Sequence, residues 1–379
     1  MQMTMKALAA QAGVSRQAVS SVFNSNARSR VSPATRKRIL RIAREHDYVP
    51  DRAAAQIRGM PTRLIGLIGA SHPQGVHLIL QTELILQLQA SGYEVLVTQR
   101  IASDAELQMA LNAFKARRVE GVLSLSAPIG GWRHDVTRIP SVCVSVQEID
   151  GCDVGFDRQA GSALAGRHFL EHGRYRPAFL ALERGGPNQE KFEGLRAAYV
   201  AAGFPATQVR FVTCNGTSSA RAIAAELRRE GIDALLCGND YIAAKMLPAL
   251  LAVGCQVPAD MALIGFDGYA FCDYTPVPLA TIVQPIHAQV RETIRLLLER
   301  IESPPEVMHA ANVKIKPSLR PSASCGCRPV IADELLEADK LVLLDDDTLS
   351  REWRAKKHAA CMTTAADGIH NPTHTPSPS

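Results

Sequence analysis

From Leu64 to Lys316, short apolar runs of β character alternate with longer helical runs, and this alternation restricts the fold more than any other feature. LIGLIGA (64–70) precedes a helical pattern near 76–91, EVLVTQ (94–99) precedes one near 104–118, and GVLSLSA (121–127) and SVCVSV (141–146) follow. A second series runs PAFLALE (177–183), helix near 189–202, VRFVTC (209–214), helix near 218–230, ALLCG (234–238), helix near 241–253 and MALIGFD (261–267). Continuously apolar strands between helices mark a parallel sheet covered on both faces, because one-sided burial would leave a polar residue at every second position. Two such series imply two doubly wound lobes. A last helix (285–302) and NVKIK (312–316) are expected to return to the first lobe, which then spans about 63–157 plus 286–322, with the second at about 158–285.

The first 48 residues have a different texture, all helical. Met5, Leu8, Ala9 and Ala12 form one apolar face, and Gly13 interrupts it as a helix C-cap glycine does. Ser15 is a natural N-cap for a second helix with Ala18, Val19, Val22 and Phe23 facing inward. Ser32-Pro33 starts a third, with Ile39, Ile42 and Ala43 inward. Two helices one glycine-containing turn apart have helix-turn-helix spacing. The second helix then exposes Arg16, Gln17, Ser20 and Ser21, whose donors and acceptors suit base edges: arginine toward guanine, glutamine toward adenine. A helical hairpin for protein contacts is the competing reading of the geometry alone. Residues 49–62 place Pro50, Gly59 and Pro61 around Asp51–Arg58, as a linker with a marginal helix would.

Charge supports the nucleic-acid reading. Residues 1–60 hold eleven Lys or Arg against three Asp or Glu, so a head of +8 sits on a remainder of −3. A basic head on a mildly acidic body suits a polyanion. No apolar run reaches membrane-spanning length and the N-terminus lacks a signal-peptide core, so a cytoplasmic protein is expected. Among the nine cysteines only Cys325-Gly-Cys327 is a close pair. Without a second pair or histidines nearby in sequence it is a weak metal signal, and neither metal nor cofactor is expected. G-x-G-x-x-G, P-loop, H-E-x-x-H and G-x-S-x-G motifs are absent, which argues against an enzyme. The 323–379 stretch, acidic and then His/Pro/Thr/Ser-rich, is expected to be a disordered tail.

Motifs along the chain carry a resemblance. A-x-x-A-G-V-S-x-x-x-V-S-x-V-x-N, then V-S-x-x-T-R-x-x-I and D-Y-V-P-D-R-A-A, resembles the lactose/galactose repressor family of bacterial regulators. So do Val154-Gly-Phe-Asp157, the His168–Gly173 run, Gly238-Asn-Asp240, Val257-Pro-x-Asp260, Ile264-Gly-Phe-Asp267 and Thr281-x-x-Gln284-Pro285. The resemblance covers residues 3 to about 322. It implies an all-α helix-turn-helix head (1–48), a hinge (49–62) and a core of two lobes of the periplasmic-binding-protein type. It also implies a homodimer that binds a near-palindromic double-stranded DNA operator and responds to a small sugar-like or sugar-acid effector.

By the same resemblance the DNA-facing set is Thr4, Ser15, Arg16, Gln17, Ser20, Ser21, Asn24 and Ile57, the last as an apolar wedge for the minor groove. Ser21 stands where many members have arginine, and the loop after Asn24 is about two residues longer than usual. The effector set is Ser71, Ser145, Lys191, Asn239 and Asp267. Lys191 replaces the usual arginine, a point charge for a planar fork, and Ser145 replaces an aspartate. Gly216 replaces a sugar-stacking aromatic. A pocket so altered leaves two alternatives open beside the sugar-regulated repressor: control by a protein partner without an inducer, and a solute-binding protein without DNA function.

Overall fold

The structure, a computed structural model, describes residues 3–23, 31–49, 60–70, 75–98, 101, 103–125, 139–145, 152–214, 219–303 and 311–328. In the head, α1 (Met5–Gln11), α2 (Arg16–Phe23) and α3 (Pro33–Glu45) enclose Leu8, Ala9, Ala12, Val19, Val22, Ile39, Ile42 and Ala43. This is the apolar set expected from helical spacing, with Met5, Ala18 and Phe23 only half-buried. The Phe23 ring meets Tyr48 edge-on at 5.6 Å, which extends the small core toward the end of α3. Side chains cap all three helix starts: Thr4 accepts from the Ala7 amide at 3.2 Å, Ser15 from Ala18 at 3.1 Å and Ser32 from Thr35 at 3.2 Å. Each cap satisfies an amide that has no partner inside its helix and contributes about 1 kcal/mol.

The chain divides into two compact units: Met1–Arg167 with Leu182–Val209 and Ile282–Ser318, and His168–Ala181 with Arg210–Thr281 and the segment from Leu319. The first unit holds β1 (Leu64–Ile68), α4 (Val76–Ala90), β2 (Glu94–Thr98), α5 (Asp104–Ala116), β3 (Gly121–Ser124) and β4 (Ser141–Cys143). Their strands form a parallel sheet in the order β2-β1-β3-β4. Packing is close: a Cβ on Gly66 of β1 would stand 2.7 Å from the Phe114 ring, so only glycine lets α5 lie this near the strand. Further on come β5 (Val154–Phe156), α6 (Arg158–Glu171, its last residues in the second unit) and α7 (Gly186–Ala201). Helix α10 (Ile286–Glu302) sets Leu297 against Gly121, and β11 (Val313–Ile315) pairs in parallel with β5. A buried ion pair, Arg300–Asp153 at 2.6 Å, anchors α10, and the second Asp153 oxygen accepts the Cys143 amide at 2.9 Å.

The second unit contains β6 (Pro177–Ala181), β7 (Arg210–Thr213), α8 (Ala220–Arg229), β8 (Ala234–Cys237), α9 (Asp240–Ala252) and β9 (Ala262–Asp267). With β10 (Ala280–Val283) and β12 (Ser318–Arg320) the sheet order is β12-β10-β9-β8-β6-β7, parallel from β7 to β9. Leu180, Val212, Leu227, Leu235, Met246, Leu247, Leu250 and Leu263 fill the space between strands and helices. Burying each such side chain stabilises the fold by about 1.5–3 kcal/mol.

One expectation is corrected here. Residues 323–328, assigned to the tail from composition, are an integral part of the second unit. The Ser324 hydroxyl accepts the Ala280 amide at 2.8 Å and donates to the Leu263 carbonyl at 2.6 Å, and Ser324 is fully buried. Arg320 donates to the Tyr269 carbonyl at 2.9 Å and pairs with Asp273 at 3.4 Å. Small polar residues look like tail in sequence, yet here they supply the hydrogen bonds that buried backbone groups require.

Candidate nucleic-acid interface and effector site

The turn between α1 and α2 rests on Gly13. Its φ of +61° lies in the left-handed region, and the Val14 amide folds back onto the Ala9 carbonyl at 3.0 Å. This directs α2 away from α1 with Arg16 and Gln17 both exposed at its first turn. Ser20 and Ser21 are half-buried, and the Ser21 hydroxyl donates to the Ala18 carbonyl at 2.9 Å. Ser21 therefore lies closer to the helix than a base-reading side chain does, unlike the exposed position expected from the helical pattern. Thr4 and Ser15 act as caps, and both are exposed. Helix α3 adds exposed Lys37, Arg38, Arg41 and Arg44, a set suited to phosphate. Asn24, Ile57, Ser71 and Gly216 lie outside the described residues.

In the second unit Asn239 lies just past the carboxyl end of β8 and Asp267 ends β9, and the two strands are paired neighbours. Parallel sheets offer ligand sites at that edge. Asn239 caps α9, its Oδ1 accepting the Ile242 amide at 2.8 Å, so its NH2 group is the part that remains to meet a ligand. Asp267 has a φ of 123°, a conformation a non-glycine residue adopts only under strain, and such strain concentrates at functional positions. What holds it is Asp240, a residue sequence reasoning recorded only within a motif. One Asp240 oxygen accepts the Gly268 and Tyr269 amides, each at 2.8 Å, and the other accepts the Thr281 hydroxyl at 2.6 Å. Burial nonetheless pushes the Asp240 carboxyl up from its ordinary range. Gly265 must be glycine here, since a Cβ would stand 2.1 Å from an Asp240 oxygen.

Beside these residues Tyr241, Tyr269 and Phe271 form an aromatic cluster, with ring centroids 5.1 to 5.4 Å apart and Tyr241 half-exposed. Sequence reasoning missed it. The available signal was position: Tyr241 and Tyr269 each stand two residues after the matched motif residues Asn239 and Asp267. In the first unit Ser145 and Lys191 are both buried, and the Gln289 side chain donates to the Ser145 carbonyl at 3.3 Å. Buried Arg158 pairs with Glu190 at 3.3 Å and stacks its guanidinium over Phe156 at 4.7 Å. This places a second cation, also unforeseen, one residue after the Val154–Asp157 motif. The cysteine pair also has company that spacing did not reveal: the Cys327 sulfur lies 3.6 Å from His168 Nε2 and 3.5 Å from His172 Nε2.

A basic helix-turn-helix head followed by parallel-sheet units is the architecture of a DNA-binding regulator. The comparisons agree. Residues 4–51 match the model for bacterial regulatory proteins of the lacI family, and residues 167–325 match a periplasmic binding protein-like domain. The HTH-type transcriptional regulator CelR of Thermobifida fusca is 30% identical over 320 residues, covering 79% of this chain and 92% of that protein. The ribose operon repressor of Escherichia coli (strain K12) is 27% identical over 318 residues, covering 79% and 94%. Among solved structures, a CelR–cellobiose complex superposes with a TM-score of 0.56 at 26% identity, over 85% of this chain and 99% of that one. The lac repressor dimer bound to operator and an anti-inducer shares the fold, with a TM-score of 0.68 at 22% identity over 86% and 99%. The chain belongs to the LacI family of bacterial regulatory proteins and is a DNA-binding transcription regulator. Among the described residues no helix is long and apolar enough to cross a membrane.

Proposed function

We propose that this regulator represses a catabolic or transport operon from the cytoplasm, without enzymatic activity. It binds a near-palindromic operator as a homodimer, and a small sugar or sugar acid sets its affinity. The observation that carries the DNA half is the capped, Gly13-hinged pair α1–α2, which leaves Arg16 and Gln17 exposed at the head of α2. The effector half rests on Asn239 and the strained Asp267 at adjacent strand ends beside the Tyr241 cluster, a pairing of hydroxyl-binding groups with a face for stacking a sugar ring. Lys191 and Ser145 complete the proposed effector set. Lys191 supplies a positive charge and Ser145 removes a negative one relative to the common pattern, which favours an anionic sugar derivative over a neutral sugar. Residues 1–48 are read as the head, 49–62 as the hinge and 63–322 as the core, extended to 328 in view of the buried Ser324.

Selection of bound sequences from random DNA tests the DNA half. Two half-sites centred about one helical turn apart are expected, with binding that weakens steeply as salt rises. Arg16→Ala should cost about 1–3 kcal/mol and relax preference at one base pair per half-site. Equal weakening on every DNA would assign Arg16 to phosphate instead. For the effector half, calorimetry against a panel of sugars and sugar acids is expected to yield a binder. Silence across the panel would favour control by a protein partner.

A further inference from the structure

The end of α6 and the turn after β12 belong to the same unit and bring together four potential metal ligands that are distant in sequence. His168 lies in the last turn of α6 and His172 directly follows the helix, its amide donating to the His168 carbonyl at 3.2 Å, so the two rings lie side by side with centroids 4.4 Å apart. Cys325 and Cys327 flank Gly326, whose φ of 95° reverses the chain tightly. That turn sets the three-residue segment against the two rings. His168 Nε2 lies 3.2 Å from the Cys325 sulfur and 3.6 Å from the Cys327 sulfur, and His172 Nε2 lies 3.5 Å from the Cys327 sulfur.

These separations are informative. Ligands bound at about 2.0–2.3 Å to one tetrahedral ion stand roughly 3.3–3.8 Å from each other, the edges of the tetrahedron. The donor atoms of His168, Cys325 and Cys327 all lie within 4.8 Å of one another. The atoms behind the ligands are also suitably placed. The Ser322 amide lies 3.4 Å from the Cys325 sulfur as an N–H donor. Such N–H donors stabilise thiolate sulfur.

We propose that His168, His172, Cys325 and Cys327 form a Cys2His2 site for a structural zinc ion, which pins the segment after β12 to the end of α6. Two sulfurs and one imidazole already gathered, with the second imidazole reaching the set through Cys327, select zinc over the harder, oxygen-seeking cations. On binding, each thiol releases its proton to solvent and the resulting thiolate donates an electron pair to the metal, with no change of oxidation state. The need for deprotonation makes zinc binding weaken as pH falls. The consequence for the fold is local. Cys325 follows Ser324, the residue that bridges Ala280 and Leu263, so a metal here would hold that bridge and the β12 edge in place.

The test uses the full chain, purified without chelator and again after chelation and reloading with Zn2+ or Co2+. Elemental analysis is expected to find about one zinc per chain. The cobalt form should show tetrahedral d–d bands and a thiolate-to-cobalt charge-transfer band. Cys327→Ser should remove the charge-transfer intensity in part and weaken zinc binding by at least about 10–100-fold. His172→Gln lies on the exposed side of the cluster, and its folding is checked separately by operator binding. It should weaken zinc to a similar degree while operator binding of the folded protein persists. Substoichiometric metal after desalting would overturn the proposal, as would zinc binding indifferent to both substitutions. Recovery of Cys325 and Cys327 as a disulfide in the metal-loaded protein would overturn it equally.

Discussion

Asp240 shows how one side chain can organise a site without lying in it. Its carboxylate receives two amides and a hydroxyl from the loop that carries Asp267, so the strained backbone at Asp267 is held by a buried acceptor rather than by its own propensity. Desolvation outweighs these donors and raises the Asp240 carboxyl, followed in size by the opposing effects of Thr281 and the Tyr269 amide. A carboxyl whose folded pKa exceeds its unfolded value holds its proton more tightly in the folded state. Its stabilising contribution is then fully present below the unfolded pKa of about 4 and is lost as pH rises through the folded pKa. Asparagine at 240 does not titrate. Urea midpoints across this range should therefore show the wild type losing stability relative to Asp240→Asn as pH rises, until Asp240 is fully ionised. A difference that stays level or grows in the wild type's favour would mean that the donors, not burial, dominate.

At the scale of elements, helix and strand pairs are set by where a side chain is forbidden. Gly194 on α7 faces α6 so closely that a Cβ would fall 2.1 Å from the Gln159 carbonyl oxygen. Gly13 in the head has open space around it but a φ of +61°. The two glycines are thus required for different reasons, and the same substitution separates them. Gly13→Ala should cost about 1–2 kcal/mol, the price of a left-handed residue with a Cβ. Gly194→Ala should cost about 1–3 kcal/mol or more, because backbone must move. Thermal unfolding of each variant checks the order, and operator binding should suffer mainly from the first. Much of this level was legible beforehand. The caps at Ser15 and Ser32, the break at Gly13 and the alternating apolar runs are local signals, and they led to the elements now observed. Short strands β5, β10 and β12 were not legible, since three or four residues show no period. The burial of Ser324 and the meeting of His168 with Cys325 were hidden for another reason: they join residues about 60 and 160 positions apart, and contacts at that separation leave no periodic trace in either segment.

For the whole molecule, the proposed control by an effector is a thermodynamic statement with a strict consequence. A ligand can alter operator affinity only by binding the operator-competent and operator-incompetent states unequally. The factor by which effector changes operator affinity must then equal the factor by which operator changes effector affinity. Couplings of this kind amount to about 1–3 kcal/mol, or roughly 5–150-fold. A ligand that merely stabilised the fold would raise the melting temperature, with about 2.7 kcal/mol of stabilisation at a hundred times its Kd, and leave operator binding unchanged. The expected outcome is reciprocity: calorimetric titration of the effector into protein alone and into the protein–operator complex should differ by the same factor that operator titrations with and without effector reveal. Asp267→Asn, which keeps the shape and removes the acceptor charge at the strained strand end, should weaken effector binding in both titrations while leaving operator affinity in the absence of effector unchanged. Thermal stabilisation without any change in operator affinity would make the core a binding module uncoupled from the head. A variant that loses operator binding along with the effector would place Asp267 in the architecture of the core rather than in its ligand site.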